Sequence, residues 1–414
     1  MFNPGKITEK NDEGNGMMTE GKMNPAKMGA ILFYIGLAIE LLILLVDKSA
    51  LTNPLEGYLF RISFLCFALK LCMTKYSAKE WPVIILCGIL AVFTYFVNSR
   101  DEVVRVVVFV AAMKGLDGKR VLKAVFWTTV AGMALLALLS VFGVLGTVLE
   151  PGAGYGFKEH TTRFCFGVGN SNSFSIMIWA LMTLGIYLYH QSMKLWHYGI
   201  LLALSVIVYF ATLSRTSLLM MVFTVMLAVF LQYFQKCREA AWLHAVAIAG
   251  VLACVGFSVW AAYVSAWHEF LPDWIVKIDR ILTGRITSLY AFSEGGARIE
   301  NWKLFGDPTY VKYFDMGYVR LFFWYGIIPG SLCIAVLCLL IWNFKKNKDY
   351  MGLMMTLSFA VFTVVEAHAV SVYIARNYVL FLLGMYWMDM LGSKGKEINF
   401  WEFLLPGRRE KIKR

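Results

Sequence analysis

Apolar residues run in long blocks along most of the 414-residue chain, separated by short polar or glycine-containing breaks. A stretch of about 20 apolar residues crosses the hydrocarbon core of a bilayer as a helix. By that yardstick the pattern predicts about twelve membrane helices. Their cores are Met28–Val46, Gly57–Met73, Trp81–Val97, Val103–Met113, Val121–Leu145 and Ser173–Tyr189. The later six are Leu195–Leu213, Thr216–Phe234, Trp242–Tyr263, Tyr318–Trp342, Tyr350–Val365 and Val372–Leu391. The fourth is short and edged by Arg100, Glu102 and Arg105. The expected fold is an all-α polytopic membrane protein with one long, partly helical extracytoplasmic loop. It divides into a tail (1–27), nine helices (28–264), the loop (265–316), three helices (317–391) and a basic tail (392–414).

The loop is the longest polar interruption. It carries Lys277, Asp279, Arg280, Arg285, Glu294, Arg298, Glu300, Lys303, Asp307, Lys312 and Asp315, interleaved with Trp267, Trp274, Tyr290, Trp302 and Tyr310. Loops of this length are functional or disordered, and so many aromatics argue against disorder. From Ile275, the positions Ile278, Leu282, Ile286 and Leu289 recur at helical spacing, which predicts an amphipathic helix lying on the membrane. The active site is expected under this loop.

Composition narrows the class. Hydrophobic residues make up 59% of the chain and charged residues 16%, with a mean hydropathy of +0.63, which leaves no room for a large soluble domain. The net charge of +12 would fit nucleic-acid binding, but basic cytoplasmic loops account for it. With the N-terminus inside, the inside loops hold Lys75 and Lys79, then Lys114, Lys119 and Arg120, then Lys194, then Lys236 and Arg238, then Lys345, Lys346 and Lys348. Every short inside loop is basic, and an even helix count places both termini in the cytoplasm. The tail after Leu391 is expected to touch anionic lipid. The N-terminus lacks the pattern of a cleaved signal peptide, so the first helix serves as the insertion signal. The eight cysteines show no CxxC spacing or paired framework, so neither a metal site nor a disulfide scaffold is supported.

That topology isolates arginines on the outer side: Arg100, Arg163, Arg215, Arg320 and Arg376, with Arg280, Arg285 and Arg298 in the loop. Arg215, in Leu213-Ser214-Arg215-Thr216-Ser217, sits in nearly the whole turn between two apolar runs. Ionisable groups at that depth are costly and tend to be functional. Snorkelling to lipid phosphates explains a single arginine equally well. A converging set suggests a pocket for phosphate or pyrophosphate, which the planar guanidinium fits bidentately. A second stretch opens with Pro151-Gly152-Ala153-Gly154-Tyr155-Gly156 and runs from Arg163 to Phe174. Asn172 or Ser173 can cap the sixth helix, and an arginine beside that N-terminus makes an anion site. The glycines lack the lysine and hydroxyl residue of a nucleotide loop. His160 and His268 also face outside, where solvation accounts for them.

Three segments together resemble the bacterial O-antigen ligase and O-antigen or exopolysaccharide polymerase superfamily. The first is Arg163-Phe164-Cys165-Phe166-Gly167 with Asn170 and Asn172. The second is Leu213-Ser214-Arg215-Thr216, where Ser217 replaces the family's glycine. The third is Leu282-Thr283-Gly284-Arg285, then Phe305-Gly306, then Asp315 through Tyr325-Gly326-Ile327-Ile328-Pro329-Gly330. Met316 stands where the family often has asparagine, and Trp324 where it often has an acidic residue. The match covers roughly the second half of the chain.

The resemblance implies a glycosyltransferase on the outer face of the bacterial cytoplasmic membrane, working without cofactor or metal. Its expected partners are a polyprenyl-pyrophosphate-linked oligosaccharide, an acceptor glycan, the lipid bilayer, and a chain-length regulator and flippase of the same pathway, with no nucleic acid. Arg163, Arg215 and Arg285 would clamp the pyrophosphate, with Arg320 and Arg280 as second choices. Asp315 is the first candidate base, followed by Glu366 and His368, a pair that an ordinary membrane-edge cluster also explains. Asn170, Asn172, Tyr318 and Trp302 are assigned to the acceptor and its sugars, although an interfacial aromatic belt also explains the aromatics. Asp315 in place of histidine, and tails without accessory domains, favour a polymerase over a ligase. A flippase or other transporter for the same lipid-linked sugar is the rival from another class, but no convincing internal repeat supports it. A structural or signalling role without catalysis leaves the arginine set unexplained.

Overall fold

The computed structural model describes residues 25–150, 162–291, 297–306, 314–392, 397–400 and Phe403. Helices α1 (Pro25–Asp47), α2 (Glu56–Met73), α3 (Glu80–Asn98), α4 (Glu102–Ala112), α5 (Gly118–Val141) and α6 (Ser171–Tyr189) make up the first half. They are followed by α7 (Leu195–Thr212), α8 (Arg215–Tyr233), the short α9 (Gln235–Glu239), α10 (Ala241–Val264), α11 (Asp273–Ile281) and α12 (Arg285–Ala291). The last four are α13 (Gly317–Tyr325), α14 (Ile327–Asn347), α15 (Tyr350–Phe362) and α16 (Tyr378–Met390). The only sheet among the described residues pairs β1 (Tyr76–Ser77) antiparallel with β2 (Glu397–Ile398). Among the described residues, eight helices are long and apolar enough to cross a membrane: α1, α3, α5, α6, α7, α8, α10 and α14. The protein is therefore an all-α, multi-pass membrane protein.

Polar side chains set several helix starts. Asp117 accepts from the Arg120 amide, Asp349 from Gly352 and Asn377 from Val379. Helix α6 is the most enclosed of the membrane-length helices and packs against α5, α7, α8 and α15. Its Trp179 is fully buried against Phe359 and Phe362, and the indole N–H donates to Thr224 Oγ1 at 3.0 Å. That satisfies a donor which apolar packing alone would leave orphaned. Helix α3, by contrast, exposes Leu86, Ile89 and Phe96 along its outer surface, as a lipid-facing helix must.

Each predicted membrane segment contains a helix, but several boundaries differ. The expected single helix over Tyr318–Trp342 is two, because Gly326 has φ +100° and breaks the run into α13 and α14. All nine residues of α13 are buried, and it is too short to cross a bilayer. Helix α5 stops at Val141 rather than Leu145, with Gly143 and Gly146 at positive φ beyond it. Helix α15 stops at Phe362, and α16 begins only at Tyr378. Residues 363–377 between them are irregular apart from one short 3-10 turn at Ile374–Arg376.

The loop helix is also divided. Thr283 and Gly284 both have positive φ, separating α11 from α12, with Ile275, Ile286 and Leu289 buried beneath. A continuous helix would need Thr283 in the right-handed region, and the Gly284 amide instead closes back on the Asp279 carbonyl at 2.8 Å. The sixth helix is capped by Asn170, whose Oδ1 accepts from the Ser173 amide at 2.7 Å, not by Asn172 or Ser173. His160, Glu294, Asp307, Tyr310 and Lys312, and the side chain of His268, lie outside the described residues.

Candidate functional site

The site lies at the end of the bundle opposite the lysine-rich loops. At this end the C-termini of α1 and α7 meet the N-terminus of α6: Gly169 donates to the Lys48 carbonyl and Phe164 to that of Ala211. Helices α15 and α16, 13 residues each, run up from the basic end and stop short of this one. At 1.5 Å per residue each covers about 20 Å, against the ~30 Å of a hydrocarbon core. The irregular residues 363–377 fill the difference. Trp179, about 12 Å down α6 from its first residue by the same rise, touches the His368 ring at 5.6 Å between centroids. Non-helical backbone at such depth is tolerated only within protein or along a wet cavity. Here it is enclosed by protein, with Ala367, His368, Ile374 and Ala375 buried.

Arg285 is the hub. The turn at Thr283-Gly284 makes it the first residue of α12, and Asp279 fixes that start by accepting from the Ile286 amide at 2.7 Å and from the Thr287 hydroxyl. From there Arg285 Nη2 donates to Glu366 Oε1 at 2.6 Å and Nη1 donates to Asp315 Oδ2. The Arg285 Nε–H is buried with no partner among the described residues. Gly317 N donates to the Thr363 carbonyl at 2.8 Å, tying Asp315 to the irregular segment that carries Glu366. Burial pushes the Glu366 carboxyl up from 4.5 to about 7, the Arg285 charge opposing and Asp315 reinforcing the rise.

His368 lies behind this cluster. It is 2% exposed, packed between Trp179 and Phe359, and its Nδ1 accepts from Arg376 Nε at 2.8 Å. Burial, with Arg376 and Lys48 nearby, holds its basicity well below the usual histidine range, and the Arg376 Nε–H donated to Nδ1 leaves Nε2 as the ring nitrogen that carries a proton. The Arg376 guanidinium keeps its two terminal nitrogens without a hydrogen-bond partner among the described residues. Close by, the Tyr373 hydroxyl lies 2.7 Å from Asp47 Oδ1 and 2.9 Å from Glu56 Oε1, and Lys48 pairs with Asp47.

Other sequence candidates are placed elsewhere. Arg163 is buried and paired with Glu150 at 3.0 Å, which also accepts from the Ser171 hydroxyl; together they brace the start of α6. Arg215 and Arg280 are exposed, and their side chains make no hydrogen bond or ion pair among the described residues. Arg320 is buried, donates to the Phe314 carbonyl at 2.6 Å and lies over the Trp324 ring, whose position Arg100 also shares at 4.0 Å. Tyr318 is buried with its hydroxyl on the Ala360 carbonyl, and Trp302 donates to Ala297 and stacks on Phe322. Asn170 is occupied as a helix cap, and Asn172 lies half-buried beside it. The structure thus brings Arg285, Asp315 and Glu366 together, with Arg376, Lys48 and Tyr373 added. Of the added three, Arg376 carried a signal in the sequence, as an arginine at a helix end opposite the basic loops. No family model, curated protein or solved structure matches the chain.

Proposed function

We propose that the protein is a membrane glycosyltransferase that polymerises polyprenyl-pyrophosphate-linked oligosaccharide repeats into a surface polysaccharide. In this reading it sits in the cytoplasmic membrane of a bacterium with both termini inside, and the Arg285 cluster faces outward. The observation that carries the reading is Arg285 held between Asp315 and Glu366 beside the non-helical segment 363–377, at the end away from the basic loops.

The chemistry required is displacement of pyrophosphate from a sugar C1 by an acceptor hydroxyl. The new C1–O bond forms as the C1–O bond to pyrophosphate breaks, and that electron pair leaves on the pyrophosphate. The hydroxyl proton passes to a carboxylate. Glu366, with its affinity for protons raised to about 7, suits a base working near neutrality. The unpartnered Arg285 Nε–H and the two terminal nitrogens of Arg376 suit stabilisation of the departing anion, because donors aimed at developing charge contribute most in a dry site. Arg215, exposed on the same face, suits capture of the incoming headgroup.

The test is the size distribution of surface and lipid-linked polysaccharide in wild type, a deletion strain, and Arg285→Ala and Arg215→Ala strains at matched protein levels. A polymerase gives single repeats on the outer-leaflet carrier when it fails. Long chains stranded on the carrier would instead make it a ligase, and repeats trapped on the inner leaflet a transporter. Normal polysaccharide in every strain would sink the reading.

A further inference from the structure

The opposite end of the bundle holds a second polar cavity, of about 520 Å³, between the first turn of α1, the last turn of α2, the α4–α5 turn and β2. Its polar lining is Lys70, Thr74, Lys75, Lys114 and Glu397. Lys114 is buried and already neutralised: its ammonium pairs with Glu80 at 2.7 Å and Glu397 at 2.9 Å, and lies over the Tyr76 ring. Lys70 is different. It is 5% exposed and, among the described residues, donates only to the Thr74 hydroxyl at 2.6 Å and the Lys114 carbonyl at 2.9 Å, both uncharged acceptors.

An ammonium taken out of water without a counter-ion is costly, and it has a third proton to donate. The placement is nonetheless built into the fold. Gly29 on α1 clears the path of the lysine stem, since a Cβ there would stand 2.8 Å from Lys70 Cδ. Exposed Lys75 adds a second charge at the rim, without an ion pair among the described residues. The cavity sits where α1 starts and α2 ends, at the level of lipid headgroups, and Pro25, Met73 and Leu116 give it an apolar side.

We propose that this cavity binds the phosphate of an anionic membrane lipid, with Lys70 as the principal counter-charge and Lys75 and Lys114 flanking. Basic pockets between membrane helices recognise such headgroups. Glu397 is the built-in competitor. It is half exposed, shares Lys114, and sits on the strand that Tyr76–Ser77 and the Trp81 indole hold in place. This proposal does not depend on the glycosyltransferase reading, because nothing in it involves the Arg285 cluster.

The experiment uses full-length protein in a neutral detergent, read by native mass spectrometry and by melting temperature. The probes are dioleoyl-phosphatidylglycerol, dioleoyl-phosphatidylcholine and inorganic phosphate. Phosphatidylglycerol is expected to stay bound and raise the melting temperature, and phosphatidylcholine to do neither. Lys70→Met should weaken phosphatidylglycerol binding by about tenfold or more, the scale of one charged hydrogen bond. Glu397→Gln should strengthen it by releasing Lys114. Inorganic phosphate matching the lipid at equal concentration would overturn the lipid as ligand in favour of free phosphate. Equal retention of both lipids, or undiminished binding by Lys70→Met, would overturn the site. Should Lys70→Met not fold, unchanged affinity in Glu397→Gln would overturn it instead.

Discussion

Arg285, Glu366 and His368 show how burial divides the labour among residues that look alike in a sequence. Glu366 and His368 are two positions apart, and both were legible as polar residues at a helix end. Their different roles were not, because the difference lies in what surrounds each side chain. Glu366 faces Arg285, whereas His368 is enclosed by Trp179 and Phe359 and supports Arg376. Two outcomes follow for Glu366. Its proton affinity is higher in the folded protein than the 4.5 of a free carboxyl, so between about 4.5 and 7 the native state holds the extra proton. The resulting stability is present below 4.5 and lost as pH rises through 7. Melting curves across that window should therefore slope downward for wild type, and Glu366→Gln should flatten the slope. Activity should run the other way, rising with pH through about 7 as the base ionises. Arg285→Ala should lower the rate by about a hundredfold or more, as loss of a transition-state donor does. It should also shift the activity limb to higher pH, since the cation that opposes the rise is gone. His368→Leu should raise the KM for the lipid-linked donor through a displaced Arg376, and should move that pH limb upward by less than Arg285→Ala does, since Arg376 opposes the rise more weakly than Arg285.

The elements themselves were largely legible, because a membrane helix announces itself by composition. Their interruptions were not. Phe305-Gly306 and Tyr325-Gly326 were read as family motifs with no structural reason attached, and the reason is a crossing of two backbones. Gly306 and Gly326 both have positive φ. A Cβ on Gly326 would collide with the Leu304 carbonyl oxygen, the Phe305 Cα and the Gly306 amide, and one on Gly306 would strike the Trp324 carbonyl. The crossing is sealed by hydrogen bonds from Ile327 to the Lys303 carbonyl and from Ile328 to that of Leu304, both 3.0 Å. It ties the α13–α14 junction to residues 303–306 of the loop, and Asp315, two residues before α13, meets Arg285. No hydrophobic periodicity encodes this, since it depends on two segments 20 positions apart occupying nearly the same space. Gly326→Ala combines steric collision with a forbidden φ, and should cost about 3 kcal/mol or more, seen as loss of folded protein on size-exclusion chromatography. Asp279→Ala is the milder probe. It removes the acceptor at the start of α12 and should cost about 1 kcal/mol, leaving a folded protein whose activity falls because Arg285 is no longer aimed.

At the scale of the whole molecule, the two ends of the bundle differ in what they do with charge. The basic end spreads lysines over short turns, where they meet water and lipid, with the exception of the enclosed Lys70 and Lys114. The other end brings Arg285 into contact with Asp315 and Glu366, and Arg163 with Glu150. A membrane protein keeps that asymmetry only if its helices alternate direction through the bilayer. The proposed topology meets this with twelve crossings: the eight long apolar helices together with α2, α4, α15 and α16. Helix α2 carries Glu56, Arg61 and Lys70. Helix α4 is 11 residues long, and α15 and α16 are 13 each. Helices α15 and α16 are largely buried, so protein rather than lipid satisfies the irregular backbone between them. Helix α13, nine buried residues, is not counted as a crossing in that proposal. The even number would then leave the start of α1 and the end of α16 on one side, which the positive-inside bias would make the cytoplasm. Single cysteines replacing Lys27, Lys194 and Arg215, in a background lacking the native thiols, would test this with a membrane-impermeant maleimide applied to intact spheroplasts. Arg215→Cys should label at once, and the two lysine positions only after permeabilisation. Reversed labelling would turn the protein over and place the Arg285 cluster on the cytoplasmic side, where a lipid-linked repeat awaiting transfer outside could not reach it. Labelling of Lys194→Cys and Arg215→Cys from the same side would mean that α7, which alone separates them, does not cross.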